Sequence, residues 1–227
     1  MISKISSLSV TLFAASFFIV SGCDKKTTVP SETQVPPVTQ EQTPMANNAP
    51  SSLLNPRNAT EKAPEVYKVK FATTKGDFIL EVHRSWAPYG ADRFYNLVKL
   101  GFYNDVVFFR VIDGFMAQTG DVENGNMENN FNLRRAGTGG SDLPDLPAEF
   151  SRIPHDRGTL GAARSQNPNS ANSQFFINFS NNHFLNGQYT VYGRVISGME
   201  HVDKITRGEP PANPDRMITV RVAADVA

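Results

Sequence analysis

From Val66 onwards, apolar and polar positions fall into short, regular runs. Val66–Ala72 alternates valines and aromatics with lysines, the period-2 pattern of a half-buried strand. Lys75-Gly76-Asp77 reads as a turn, and Phe78–His83 as the second arm of a hairpin. Pro88 suits the first turn of a helix. Ala91, Phe94, Leu97 and Val98 then share one face, and Gly101 ends it. Further strands are predicted at Val106–Ile112, Phe115–Gln118, Thr159–Ala163, Gln174–Phe179 and Tyr189–Ile196. A short second helix is predicted around Met199–Thr206, with Met199, Val202 and Ile205 on one side, and a last strand at Met217–Ala223. A long polar loop rich in Gly, Asn and Pro, Val122–Pro147, interrupts the strands; loops of that length in a compact domain are often functional. Many short strands with two helices predict a mainly β fold: a closed antiparallel β-barrel with helices plugging its ends.

The first 65 residues have a different character. Met1–Lys4 supplies a positive start, and Leu8–Val20 is apolar or small throughout. A membrane span needs about 20 apolar residues, so this shorter run fits the core of an export signal. Val20-Ser21-Gly22-Cys23 follows and resembles the lipobox of bacterial lipoproteins, in which the signal is cut before a cysteine that then carries lipid. The alternative is a free thiol beside an ordinary cleavage site. Residues 24–65 are dominated by Pro, Thr, Ser, Gln and Asn and cannot bury enough apolar surface to offset their ordering entropy, so they read as a disordered tether. The predicted organisation is therefore a lipoprotein signal peptide at 1–22, lipidated Cys23 with its tether to 65, and a folded domain at 66–227. This places the protein outside the cytoplasm, anchored to a bacterial membrane and facing the periplasm. Asp24 resembles the signal that retains lipoproteins of enteric bacteria in the inner membrane.

Composition removes several classes of function. Basic and acidic residues balance at 22 each, so no basic excess argues for nucleic acid. Loss of residues 1–22 removes one basic and no acidic residue, leaving a mature charge of −1. Cys23 is the only cysteine and cannot form an internal disulfide. The four histidines, His83, His155, His183 and His201, show no metal-ligand spacing, and His155 and His183 read as loop residues. There is no Gly-x-Ser-x-Gly elbow, and the Gly137–Gly140 run is too generic for a phosphate cradle. No metal or cofactor is expected.

Two stretches carry the chemistry: Phe108-Phe109-Arg110-Val111-Ile112-Asp113-Gly114-Phe115-Met116-Ala117-Gln118-Thr119-Gly120-Asp121, and Ser173-Gln174-Phe175-Phe176-Ile177-Asn178. Arg110, Val111 and Ile112 cannot all face one side of a strand. If Val111 points inward, Arg110 points outward. Gly114 lets the chain turn, and Phe115, Met116 and Gln118 return near Arg110. The result is an apolar cup with one cation and one amide at its rim, while Phe175, alternating with Phe176, enters the core.

These stretches closely resemble the signatures of the cyclophilin family of peptidyl-prolyl isomerases. The resemblance continues through Gly137–Gly140, Arg157-Gly158-Thr159, Ala163-Arg164, Phe184–Gly187 and Val191–Val195, covering about residues 66–227. It implies an eight-stranded antiparallel barrel with two helices. It implies Arg110 as the catalytic arginine, and Phe115, Met116, Phe176 and Leu185 as floor and walls of a proline site. Gln118 and Gln174 would hold the substrate backbone, and Ala163 and Arg164 would pair with the peptide. Three positions depart from the best-known eukaryotic members: Phe184 stands in place of Trp, Tyr189 in place of His, and Arg164 in place of a common Asn. The first change implies weaker binding of cyclosporin, and the second alters one wall of the site.

The implied reaction needs no nucleophile. Rotation about a peptide C–N bond costs about 18–20 kcal/mol because resonance is broken, and X–Pro exchange takes tens to hundreds of seconds. In the twisted transition state the proline nitrogen regains a lone pair, and a donor aimed at it binds that state better than the planar one. A 10⁵-fold acceleration would need about 7 kcal/mol. One charge-assisted hydrogen bond contributes about 1.5–3 kcal/mol, so the apolar cup must also exclude water and hold the ring. The partners expected are proline-containing exported polypeptides, with the protein acting as a monomer. The alternative reading is a non-catalytic module that binds proline-containing peptides without speeding their exchange.

Overall fold

A computed structural model describes residues 60–225, residue 130 excepted. The predicted export signal, Cys23 and the predicted tether as far as residue 59 lie outside the described residues. Strand β1 (Val66–Thr73) and strand β2 (Gly76–His83) form the predicted hairpin, paired from Val66↔His83 to Thr73↔Gly76. Helix α1 (Pro88–Lys99) begins on its proline and buries Ala91, Phe94, Leu97 and Val98, the face the spacing indicates. Strands β3 (Val106–Val107), β4 (Arg110–Ile112), β5 (Met116–Thr119), β6 (Thr159–Ala162), β7 (Phe175–Asn178) and β8 (Val191–Ser197) follow. Helix α2 (Met199–Val202) is shorter than its pattern implies, although Ile205 beyond it is still buried. Strand β9 (Arg216–Val222) completes the sheet.

All ladders are antiparallel, and the order is β3-β9-β1-β2-β8-β6-β7-β5-β4. This corrects the expected closed eight-stranded barrel. The described residues form nine strands in an open, curled half-barrel. The difference lies in the run Val106–Ile112, which the sequence presents as one strand. Its first half pairs with β9 at one edge of the sheet and its second half with β5 at the other. Only Phe108 and Phe109 lie between the halves, so chain, not a ladder of hydrogen bonds, joins the two edges.

Phe71, Phe78, Phe94, Tyr103 and Phe175 are fully buried in the main core, and their rings meet stacked, tilted or edge-on at centroid distances of 4.5–6.5 Å. Tyr103 donates its hydroxyl to the Ser173 carbonyl at 2.8 Å. That satisfies the one polar atom the ring carries inward.

Glu61 and Ala63, which composition assigns to the tether, dock on α1. Asn96 donates to the Glu61 carbonyl at 2.8 Å and accepts from the Glu61 N–H at 3.0 Å, and the Ala63 N–H donates to Asp92 at 2.9 Å. Ala63 is buried in the core. The polar sequence conceals this docking because the backbone of the segment pairs with helix side chains.

Candidate active site

The site is built by strand alternation. Register places Arg110 opposite Gln118, Gln118 opposite Phe176, and Phe176 opposite Gly161. These four residues make one row across β4, β5, β7 and β6. The next row, Val111, Ala117, Ile177 and Leu160, faces the other way and is buried in the main core. One face of these strands therefore closes the core, and the other carries a separate apolar cluster of Met116, Ala163, Phe176 and Leu185, with Ile112, Phe115 and Tyr189 packed on it. Gly114, at a positive φ of 68°, makes the turn that brings Phe115 and Met116 back beside β4. Gly161 is glycine for another reason: a Cβ there would collide with the ring of Phe176.

The cluster encloses a cavity of about 110 Å³ lined by Arg110, Phe115, Met116, Gln118, Ala163, Arg164, Phe176, Leu185 and Tyr189. Its polar rim is a chain of donors. Arg110 donates Nη1–H to Gln118 Oε1 at a long 3.4 Å, and Gln118 donates Nε2–H to Gln174 Oε1 at 3.0 Å. Gln174 in turn donates to the carbonyls of Gly137 (3.1 Å) and Gly139 (2.7 Å). The long polar loop is thereby tied to the site. It forms one side of an adjoining cavity of about 410 Å³ that shares Gln118, Ala163 and Arg164 with the first. The loop is itself pinned by Asp121, whose fully buried carboxylate accepts from the N–H groups of Glu123, Asn124, Gly137 and Gly139.

Behind the apolar wall lies a buried polar network. The ring of His155 stacks on Phe176 (5.8 Å, 16°), and its Nε2 lies 3.2 Å from the Tyr189 carbonyl. Asn178 Nδ2 reaches His155 Nδ1 at 3.3 Å and Thr159 Oγ1 at 2.8 Å. Asn182 donates to Asn178 Oδ1 (2.7 Å) and to the Phe115 carbonyl (2.9 Å). With the Asn178 amide donating to Nδ1, the proton of neutral His155 sits on Nε2 and is donated to Tyr189. Burial pushes the His155 pKa below the ordinary histidine value, opposed in part by that hydrogen bond.

Comparison with known proteins fits this geometry. Residues 68–223 match the family model described as "Cyclophilin type peptidyl-prolyl cis-trans isomerase/CLD". The chain belongs to the cyclophilin family. It is similar to a probable peptidyl-prolyl cis-trans isomerase of Brucella abortus, at 57% identity over 155 residues covering 66% of this chain and 79% of the relative. Peptidyl-prolyl cis-trans isomerase B of Escherichia coli is 37% identical over 145 residues, covering 60% of this chain and 82% of its own length. Among solved structures, a cyclophilin from Hirschia baltica superposes with a TM-score of 0.63 at 25% identity, covering 74% of this chain and 77% of that one. The protein is thus an enzyme of the peptidyl-prolyl isomerase class, and such enzymes act on proline-containing peptides.

In this cyclophilin the residues singled out by sequence are not all alike. Arg110, Phe115, Met116, Gln118, Ala163, Arg164, Phe176, Leu185 and Tyr189 converge on the smaller cavity. Gln174 lines only the larger one, and its amide group is engaged by the loop and by Gln118. Phe184 stays outside both cavities. It is 64% exposed, with its ring 5.6 Å from that of Phe115, and extends the rim instead of walling the cup. Arg164 lies over the Tyr189 ring at 4.3 Å and donates to the Gln188 carbonyl, so its head is held against that wall. His155 lies in a loop, as its sequence indicates, and there it is fully buried and backs Phe176. Asn178 and Asn182 lie in the network behind the cup, Gly161 leaves room for the Phe176 ring and Glu209 contacts Arg110; the sequence pattern assigns none of the four a role. The available signal was the polar residue closing an apolar strand at Asn178.

Proposed function

We propose that this cyclophilin accelerates rotation about X–Pro bonds in exported polypeptides and so assists their folding. Arg110 is the donor to the proline nitrogen of the twisted state, and the reaction is non-covalent. The observation that carries this reading is the convergence of the Arg110 guanidinium and the Gln118 amide on the rim of a cavity walled by Phe115, Met116, Ala163, Phe176, Leu185 and Tyr189, with the second guanidinium, Arg164, held over the Tyr189 ring. An apolar cup suits a pyrrolidine ring. It also lowers the local dielectric in which the Arg110 donor works, which favours the transition state over water as competitor. Gln118, oriented by Gln174, is placed to hold the substrate carbonyl while the acyl side turns. Phe184 and Arg164 border the path by which the rest of the peptide crosses the rim.

Arg110→Ala tests the mechanism. Isomerisation of a short Xaa–Pro peptide, followed by NMR exchange, should slow by about 10²- to 10³-fold, the range seen when one preorganised donor is removed elsewhere. An unchanged rate would exclude Arg110 as the donor. Peptide binding without any exchange enhancement in the unmutated protein would reduce it to a binding module.

In the same reading the enzyme is a monomer held at the periplasmic face of a membrane by lipid on Cys23, with Asp24 favouring the inner membrane. The support is sequence alone: the short apolar run, the lipobox-like Val20–Cys23 and the polar tether. Each buried CH₂ of an acyl chain adds about 0.8 kcal/mol of membrane affinity, so several chains anchor firmly. Cys23→Ser should move the protein from the membrane to the soluble periplasmic fraction. Retention in the membrane would remove Cys23 as the anchor.

A further inference from the structure

Arg110 is held from outside the cup as well as from within it. Its Nε donates to Glu209 Oε2 at 2.9 Å, a charge-assisted hydrogen bond of ordinary length. Glu209 lines neither cavity. It reaches Arg110 from a loop that is itself fixed beside β4. Val111 and Gly208 exchange both backbone hydrogen bonds, each at 2.8 Å. Gly208 has a φ of 149°, and a Cβ there would run into the Pro211 backbone, so this turn admits little but glycine. Arg207 locks the loop further. It donates to the carbonyls of Asp203 and Ile205, pairs with Asp113 at 3.0 Å, and lies over the Phe179 ring at 4.2 Å.

A guanidinium has an Nε edge and two terminal nitrogens. Glu209 takes the Nε edge. Nη1 meets Gln118, which lines the cup, but only at 3.4 Å. Gln118 alone would therefore hold the head of a long, 40% exposed side chain weakly. The ion pair is itself half-exposed on the carboxylate side, at 52%, and such pairs add little to stability. Its consequence is orientation.

We propose that Glu209 is a positioning residue for the isomerase reaction, fixing the Nε edge of Arg110 so that its terminal nitrogens address the cup. This rests on the reading of Arg110 as the transition-state donor. Glu209 touches no substrate in this scheme. It removes rotamers of Arg110 that would point the charge to solvent, so its loss should lower kcat and leave KM nearly unchanged.

The test is a cycle of Arg110→Ala, Glu209→Ala and the double variant, with Glu209→Gln added, assayed on one Xaa–Pro peptide alongside thermal unfolding. Glu209→Ala should lower kcat/KM by about 3- to 10-fold, the equivalent of freeing one rotamer-rich side chain. Tm should stay unchanged. Glu209→Gln should recover most of the loss, because its amide oxygen still accepts from Nε. In the Arg110→Ala background Glu209→Ala should have no further effect. A Glu209→Ala enzyme as fast as, or faster than, the unmutated one, beside a slow Arg110→Ala, would overturn the positioning role and leave the Arg110 mechanism standing. A loss that persists without Arg110, or one accompanied by a lower Tm and not recovered by Gln, would also overturn it. An unchanged Arg110→Ala would overturn both.

Discussion

Phe175 and Phe176 are neighbours in one strand and serve opposite sides of the sheet. Phe175 is fully buried, with the rings of Phe71, Phe94 and Tyr103 around it at 5.3–6.3 Å. Phe176 has a ring on one side only as backing, the stacked imidazole of His155, and Tyr189 at its edge. Its other side borders the cup. The inner ring is held by close packing from every direction. The outer ring is held by a polar scaffold behind it, which leaves apolar surface in front for a ligand. A cyclophilin can therefore keep a rigid apolar site on the outside of a sheet without closing it over, because hydrogen bonds do the work that a second packed layer does inside.

The largest effect expected from breaking this pairing is on stability. Phe175→Ala should cost about 3–5 kcal/mol, the range for removing a fully enclosed aromatic ring. Isomerase activity per folded molecule should stay close to normal. Phe176→Ala should cost somewhat less, about 2–4 kcal/mol, because the ring is also buried but borders the cup on one side and so has fewer packed neighbours there. Activity should collapse in that variant. Denaturant unfolding together with peptide isomerisation reads both quantities. If the two variants lose activity equally, the inner and outer faces are not separable and the comparison fails.

Much of this division is legible in the sequence alone. Alternation through Phe175-Phe176-Ile177 and through Met116-Ala117-Gln118 states which residues share a face. Pro88 and Gly101 bracket the first helix because their backbone preferences are local. What escaped were contacts made at long range or through polar atoms. Val106–Ile112 is apolar at nearly every position, so its pattern cannot show that the chain leaves one sheet edge and joins the other. Glu61–Ala63 looks like tether because Asn96 and Asp92 pair with its backbone, and composition is blind to that. Glu209 lies 99 residues from the arginine it contacts. His155 sits among Pro, Asp and Arg in a stretch that looks like an exposed loop, yet the fold buries it completely.

That histidine supplies the finest test of the contrast, because the inner face has nothing comparable to titrate beside Phe175. In the folded protein burial holds its pKa below the ordinary value. In the unfolded chain it titrates near the ordinary value, about 6.5. Between those two values the unfolded chain binds more protons, so stability rises with pH across the window. The native state is therefore fully favoured above about pH 6.5 and loses stability as pH falls towards the folded value, by at most about 1.4 kcal/mol per pH unit. Below the folded value the loss levels off. Protonation at Nδ1 would also set an N–H against the Asn178 amide that now donates to it. The backing of Phe176 should then loosen before the fold gives way. Unfolding free energies at pH 7.5 and pH 5, for the unmutated protein and for His155→Gln, isolate this contribution by difference, because the other titrating groups are common to both. The unmutated protein should lose more stability than the variant on acidification. An identical loss would mean that His155 supports the outer wall by shape alone, as Phe175 is held within.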